Sequence, residues 1–192
     1  MYSLFRTSLT LFAVLTFLTG VIYPMAITGI AQVAFPEQAG GSPLLVNGRV
    51  VGSELIGQPF SDPKYFHGRP SVTSGFPSNA QSGSGSNLAP TNPVLLNQVR
   101  ERIKELSSVV PSNSSAIPID LVTASASGLD PHISRDAADY QAAAIAAVRH
   151  LELRDVRILI DQHTESPRYG LGGLERVNVL KLNLALDQLD TK

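Results

Sequence analysis

The sequence predicts a single N-terminal transmembrane helix followed by one mixed α/β extramembrane domain, built from a hairpin, short strands and three to four helices. Three observations carry this. Residues 7–36 contain no Asp, Glu, Lys, Arg or His. An Asn47-Gly48 pair separates two short apolar runs. Further along, apolar residues recur at helical spacing, and several of these segments open on a capping residue. Only 16% of the 192 residues are charged, against roughly 25% in an average soluble domain, and much of that deficit falls at the N-terminus.

The domain boundaries follow from the charges: 1–6 as a cytoplasmic N-terminus, 7–35 as the transmembrane anchor and 36–192 as an extracytoplasmic α/β domain. About 20 helical residues span a hydrocarbon core of ~30 Å. The run here is longer than that, and longer than the apolar core of a cleaved signal peptide, about 7–15 residues. A cut after Ala34 would put Gln32 where a small residue is wanted. An uncleaved anchor is therefore the reading. Arg6 precedes the run, Glu37 is the first charge after it and Arg49 the first base, so the positive-inside rule sets the N-terminus in the cytoplasm and the domain outside. Within the run, Pro24 removes a helix hydrogen bond and tends to kink the chain. Thr16, Thr19, Gly20, Thr28 and Gly29 are of the small or hydroxyl kind that lets helices approach closely in lipid.

In the domain, Leu44-Leu45-Val46 and Arg49-Val50-Val51 flank Asn47-Gly48, the strongest short hairpin signal, because both turn residues tolerate positive φ. Residues 57–70 read as an aromatic, Pro- and Gly-punctuated loop. Residues 73–93 carry no charge and abound in Ser, Gly, Asn and Pro; composition alone favours a flexible linker over an ordered loop. Asn92-Pro93 opens a helix with Val99, Ile103, Leu106 and Val110 on one stripe, and the cluster Arg100, Glu101, Arg102, Lys104, Glu105 reads as its solvated surface. Ile117 to Thr123 reads as a short buried strand. Ser134 caps an Ala-rich helix that runs to about Arg149, with Asp136 in its first turn. Val156, Leu159, Ile160 and His163 mark another helix, with His163 in its core stripe, ending before Pro167. Val179, Leu182, Leu186 and Leu189 mark a last one, capped by Asn178.

Chemistry is sparse. Beyond the anchor the chain has 14 basic and 16 acidic residues, which argues against a nucleic-acid partner, since such domains carry a basic excess. With no Cys, thiolate catalysis, disulfides and Cys-ligated metals are excluded. The four His residues form no metal-ligand spacing; Asp130 with His132 reads better as a loop His bonded to backbone than as a metal pair. Ser125 and Ser127 lie close to Asp130 and His132, but G-x-S-x-G is absent and triad members converge in space rather than in sequence. The run around Gly83–Asn87 lacks the Lys-Ser/Thr of a phosphate loop. Asp62 and Lys64 flank Pro63, but no phosphorylated D-K-T-G loop stands here. No catalytic and no metal residues are assigned.

Several phrases carry a resemblance: GVIYP (20–24), GSELIGQPF (52–60), YFHGRPS (65–71), SGSNLAPTNPVL (84–95), DLVTASASGLDPHIS (120–134), AADYQ (137–141) and RVNVLKLNLALDQL (176–189). Together with the anchor they resemble the C subunit of the Kdp-type potassium-transporting ATPase over essentially the whole chain. The resemblance implies a non-catalytic subunit of a high-affinity, ATP-driven potassium importer in the bacterial plasma membrane. Its implied partners are a potassium-channel-like subunit, a P-type subunit that hydrolyses ATP and a small single-helix subunit, within the lipid bilayer. It further implies a role in assembly and as a catalytic chaperone, or alternatively as a membrane-anchored nucleotide-binding regulatory subunit. In that second role ATP is the ligand and Gln141 a nucleotide contact. Gly20, Tyr23 and Pro24 in the anchor, and Tyr65, Phe66, Arg69, Ser86, Asn87 and Asn92 in the matching phrases, stand as candidate partner contacts. Where the family often has Arg-Val-Ala after the Gln, this chain has Ala144-Ile145-Ala146, which removes a charge suited to a phosphate. The phrase SNLAPTNP also turns the reading of residues 73–93 toward an ordered loop.

Overall fold

The computed structural model describes residues 2–109, 115–167 and 173–189. Two compact units result, Met1–Val51 and Gly52–Lys192.

In the first unit, α1 (Tyr2–Phe17) and α2 (Tyr23–Ala34) form one apolar helical run joined by a π-turn at Leu18–Ile22. The helix starts five residues earlier than the anchor predicted at residue 7. Pro24 explains the turn. It has no N–H for the Gly20 carbonyl and its ring crowds the preceding turn. Widening the helix there, with the Tyr23 N–H bonded five residues back to the Leu18 carbonyl, relieves the crowding. Thr7, Thr10 and Thr19 return their hydroxyls to carbonyls four residues back, which satisfies these three hydroxyls on an apolar surface. A short α3 (Pro36–Ala39) follows, then the predicted hairpin of β1 (Pro43–Val46) and β2 (Arg49–Ser53). Asn47 and Gly48 both have positive φ, 50° and 75°, as a type I′ turn requires.

The second unit is a helical layer against a small antiparallel sheet. Its elements are α4 (Pro93–Val109), α5 (Ile119–Val122), β3 (His132–Ser134), α6 (Arg135–Arg149), α7 (Leu153–His163), β4 (Thr164–Glu165), β5 (Arg176–Asn178) and α8 (Val179–Leu189). The sheet order is β3-β5-β4, with Ile133 opposite Val177 and Thr164 on the other side of Val177. The core gathers Ile133, Val177, Val156, Ile160, Leu182 and Leu186 around the small-residue face of α6. Ala137, Ala138, Ala142 and Ala146 are all buried, so the Ala-rich composition is what lets the neighbours approach α6 closely.

The predicted caps are present. Ser134 Oγ accepts from the Ala137 N–H at 3.1 Å, Asn92 Oδ1 from the Val94 N–H at 2.9 Å and Asn178 Oδ1 from the Lys181 N–H at 3.1 Å. Three expectations are corrected. Residues 117–123 are not a strand: Pro118 starts the single turn α5, and Asp120 spends its carboxylate on the Ser134 N–H at 2.7 Å and hydroxyl at 3.2 Å; Leu121 and Val122 are buried and Ile117 packs half-buried against the core. On α4, Ile103 is exposed, because the helix turns Val99, Arg102 and Leu106 inward instead; Val110 lies outside the described residues. His163 is half-buried at the end of α7, its Nδ1 2.9 Å from the Leu159 carbonyl.

Residues 73–92 are an ordered loop rather than a free linker. The Ser71 hydroxyl donates to the Gly128 carbonyl at 2.8 Å and accepts from the Ser78 N–H at 2.9 Å; the Thr73 hydroxyl donates to the Phe76 carbonyl at 2.7 Å and accepts from the Asn79 N–H at 3.1 Å. Gly85 runs so close to the 125–128 turn that a Cβ there would lie 2.6 Å from the Ala126 carbonyl oxygen. Small polar residues here serve close backbone packing.

Candidate functional site

Residues 58–71 adopt no regular structure, yet Phe66 is fully buried. Its backbone polar groups need partners there. Its N–H donates to Asn183 Oδ1 at 2.8 Å and its carbonyl accepts from Asn183 Nδ2 at 3.0 Å. One residue on, the His67 N–H donates to Gln141 Oε1 at 2.8 Å and its carbonyl accepts from Gln141 Nε2 at 3.2 Å. A carboxamide offers the same acceptor and donor types as a peptide group. Asn183 on α8 and Gln141 on α6 thus take the place of a neighbouring strand. The remaining Gln141 amide hydrogen goes to the Ala137 carbonyl at 3.1 Å.

The flanks of this brace are held by charge and ring contacts. Arg149, at the end of α6, has a side chain only 3% exposed. Its Nε donates to the Lys64 carbonyl at 2.7 Å, its Nη2 pairs with Asp187 at 2.7 Å, and its guanidinium lies 4.8 Å from the centre of the Tyr65 ring. The Tyr65 hydroxyl donates to the other Asp187 oxygen at 3.1 Å, and the Phe60 ring tilts onto Tyr65 at 5.4 Å. On the far side, Arg69 pairs with Asp130 at 3.1 Å and donates to the Ala124 carbonyl at 3.4 Å. Burial works to raise the Asp130 carboxyl, but hydrogen bonds from His132 and the pairing with Arg69 outweigh it and hold the group below its usual range.

Between this loop, α4, α5 and α6 opens a cleft of about 470 Å³. Phe60, Tyr65, Leu106, Leu121, Ala144 and Ile145 give it apolar walls; Arg69, Arg102, Glu105, His67 and Gln141 give it polar ones. His67 Nε2 and Arg69 Nε are buried and have no hydrogen-bond partner among the described residues. Burial pushes the His67 imidazole below its ordinary pKa and keeps it neutral near pH 7. Arg102 corrects the reading of its charge cluster as wholly solvated: it is half-buried, lines the cleft and donates to the Val122 carbonyl at 2.9 Å.

Of the residues singled out from the sequence, Gln141, Tyr65 and Arg69 meet at this cleft. Phe66 lies behind it in the core. Ser86 and Asn87 belong to the ordered loop, Asn87 with φ of 50°, and Asn92 is spent capping α4. Gly20, Tyr23 and Pro24 flank the π-turn in the other unit, with Tyr23 exposed and open space around Gly20. Ser125 is buried and its hydroxyl accepts from the Gly128 N–H at 2.7 Å, which is a turn-fastening role. His132 Nδ1 stands 3.7 Å from Asp130, and no metal-binding cluster occurs among the described residues. Sequence reasoning missed Asn183, Asp187 and the inward turn of Arg102. The available signal was a polar Asn183 four residues after Val179, on the stripe that carries the core.

Among the described residues one apolar helix is long enough to cross a bilayer, and with the α/β domain and its braced cleft it suits a membrane-anchored accessory protein. Comparison with known proteins narrows this. Residues 5–188 match the family model described as the K+-transporting ATPase, c chain. The chain is 56% identical over 189 residues to the potassium-transporting ATPase KdpC subunit of Dechloromonas aromatica, covering 98% of this chain and 99% of that one. It is 59% identical over 189 residues to that of Polaromonas naphthalenivorans, covering 98% and 96%, and 52% identical over 185 residues to that of Methylococcus capsulatus, covering 96% and 97%. The chain belongs to the KdpC family of potassium-transporting ATPase subunits, and it is a component of the transport complex rather than its catalytic chain.

Proposed function

We propose that this subunit assembles and stabilises a bacterial ATP-driven potassium importer and serves its ATP-hydrolysing chain as a catalytic chaperone. The helix Tyr2–Ala34 docks against helices of a channel-like subunit, a P-type subunit and a small single-helix subunit. The N-terminus lies in the cytoplasm and the α/β domain outside the plasma membrane. The observation that carries this reading is the π-turn at Leu18–Ile22 beside Pro24 and the open Gly20. A widened turn with small residues offers a neighbouring helix close backbone approach and carbonyls to satisfy. Replacing Tyr23 and Pro24 together by Leu is expected to reduce co-purification of the other subunits and potassium uptake. Unchanged assembly and uptake would refute the docking role. The orientation is checked by labelling Lys104→Cys, an exposed position in a chain without native Cys: reaction with a membrane-impermeant reagent from outside intact cells is expected.

A second reading is favoured by the cleft itself. Aromatic faces at Phe60 and Tyr65 beside Arg69 and Arg102 suit a base and a phosphate group, so the domain would be a nucleotide-binding regulatory module. It ranks second because an outward-facing domain meets little ATP and because both Gln141 amide hydrogens are already engaged. It predicts that millimolar ATP raises the unfolding temperature of the full-length chain and that Arg102→Ala abolishes the rise. No rise in the parent chain excludes it.

A further inference from the structure

We propose that the β1–β2 hairpin is a membrane-surface foot, lying in the boundary between lipid headgroups and acyl chains. The inference rests on the proposed membrane anchoring of the same unit and extends it to a segment with no assigned role.

The hairpin is an apolar object without a cover. A two-residue turn sets Leu45 opposite Val50, so both point to one face. They are 62% and 65% exposed. An isolated two-stranded hairpin is marginal in water, and this one presents its widest apolar surface to solvent. On the opposite face, Val46 and Val51 are 37% and 36% exposed and stand with Arg49.

Its place in the chain says what covers it. The anchor helix ends at Ala34, and the exposed Phe35 follows, an aromatic residue where interfacial rings collect. The 33 residues Tyr2–Ala34 make a helix of about 50 Å, longer than the ~30 Å core. Its end therefore reaches the headgroups. Pro43 is eight residues past Phe35 and four of the intervening ones are wound into α3, a tether too short to lift the hairpin far from the bilayer. Between Glu37 and Glu54 the only charged residue is Arg49. The hairpin itself carries no carboxylate and one guanidinium to pair with a phosphate; Glu37 lies before it, in α3. Hydrocarbon penalises a strand edge whose backbone groups it cannot satisfy. The hairpin accordingly lies flat, Leu45 and Val50 toward the acyl chains and Arg49 at phosphate level.

The test uses the full-length chain in its complex, reconstituted into nanodiscs containing anionic lipid, with an environment-sensitive fluorophore on single Cys substitutions at Val50 and, as a control, at Val14 within the helix. Lipids carry a nitroxide either high on the acyl chain or near its end. The Val50 label is expected to emit at shorter wavelength and to lose about twofold of its intensity with the high nitroxide but little with the low one, as for burial of ~5–10 Å. Adding Leu45→Asp is expected to reverse both effects. A Val50 label that reads as water-exposed overturns the proposal. So does a label shielded from water but unquenched by lipid, which would assign the surface to a partner subunit. Quenching at Val14 without quenching at Val50 leaves the anchor standing while the foot falls; no quenching at either position removes both.

Discussion

Phe66→Ala is expected to destabilise the Gly52–Lys192 unit by about 4 kcal/mol, the usual range for deleting a fully buried aromatic ring being 3–5 kcal/mol. The ring is entirely enclosed and packs into the same cluster as Leu121, Ala137 and Leu182. Its loss would also slacken the segment that carries Tyr65 and His67 into the cleft, since those residues flank it directly. Thermal unfolding of the full-length chain in detergent is the measurement, with an expected fall of about 12 °C for a domain of this size. A fall within the error of the wild-type value would mean that the loop is not seated as described.

Asn183→Leu is expected to cost about 3 kcal/mol, although it replaces a polar residue in a core by an apolar one of similar size. The reason is what it leaves behind. The Phe66 N–H and carbonyl both end on this one carboxamide, and each buried group left without a partner costs about 1–3 kcal/mol. The gain from burying a leucine offsets only part of that. Asn183→Asp separates the two contributions: it keeps an acceptor for the Phe66 N–H but has no donor for the carbonyl. Unfolding midpoints in denaturant are expected to order as wild type, then the Asp variant, then the Leu variant. A Leu variant as stable as wild type would refute the bracing role.

Much of the architecture was legible because it is set locally. The hairpin follows from Asn47-Gly48, which needs only two residues able to take positive φ. The helices α4, α6 and α8 are announced by Asn92, Ser134 and Asn178, whose side chains bond to amides two or three residues on. What could not be read is set at a distance. The strands β3, β4 and β5 are two or three residues long and exist through pairing between positions more than ten residues apart, a length that carries no periodicity. The segment 117–123 has a strand's apolar content, but Asp120 is claimed by Ser134, and that contact decides for a helical turn. The cleft was half legible. The phrase around Tyr65 and Arg69 and the isolated Gln141 drew notice, yet the partner of Gln141 is a backbone 74 residues away, and Arg102 turns inward from a run of charges whose composition says only surface.

The two carboxamides that hold residues 66 and 67 have a chemical virtue beyond geometry. Neither gains or loses a proton at any pH that a bacterium survives, and neither contact is an ion pair that added salt would weaken. The surrounding Arg69–Asp130 contact does respond to acid, and both it and the Arg149–Asp187 pair respond to ionic strength. If the domain faces the outside as proposed, where the cell regulates neither, the segment at the mouth of the cleft is fastened by bonds indifferent to both, and acid loosens the Arg69–Asp130 flank before it loosens the centre.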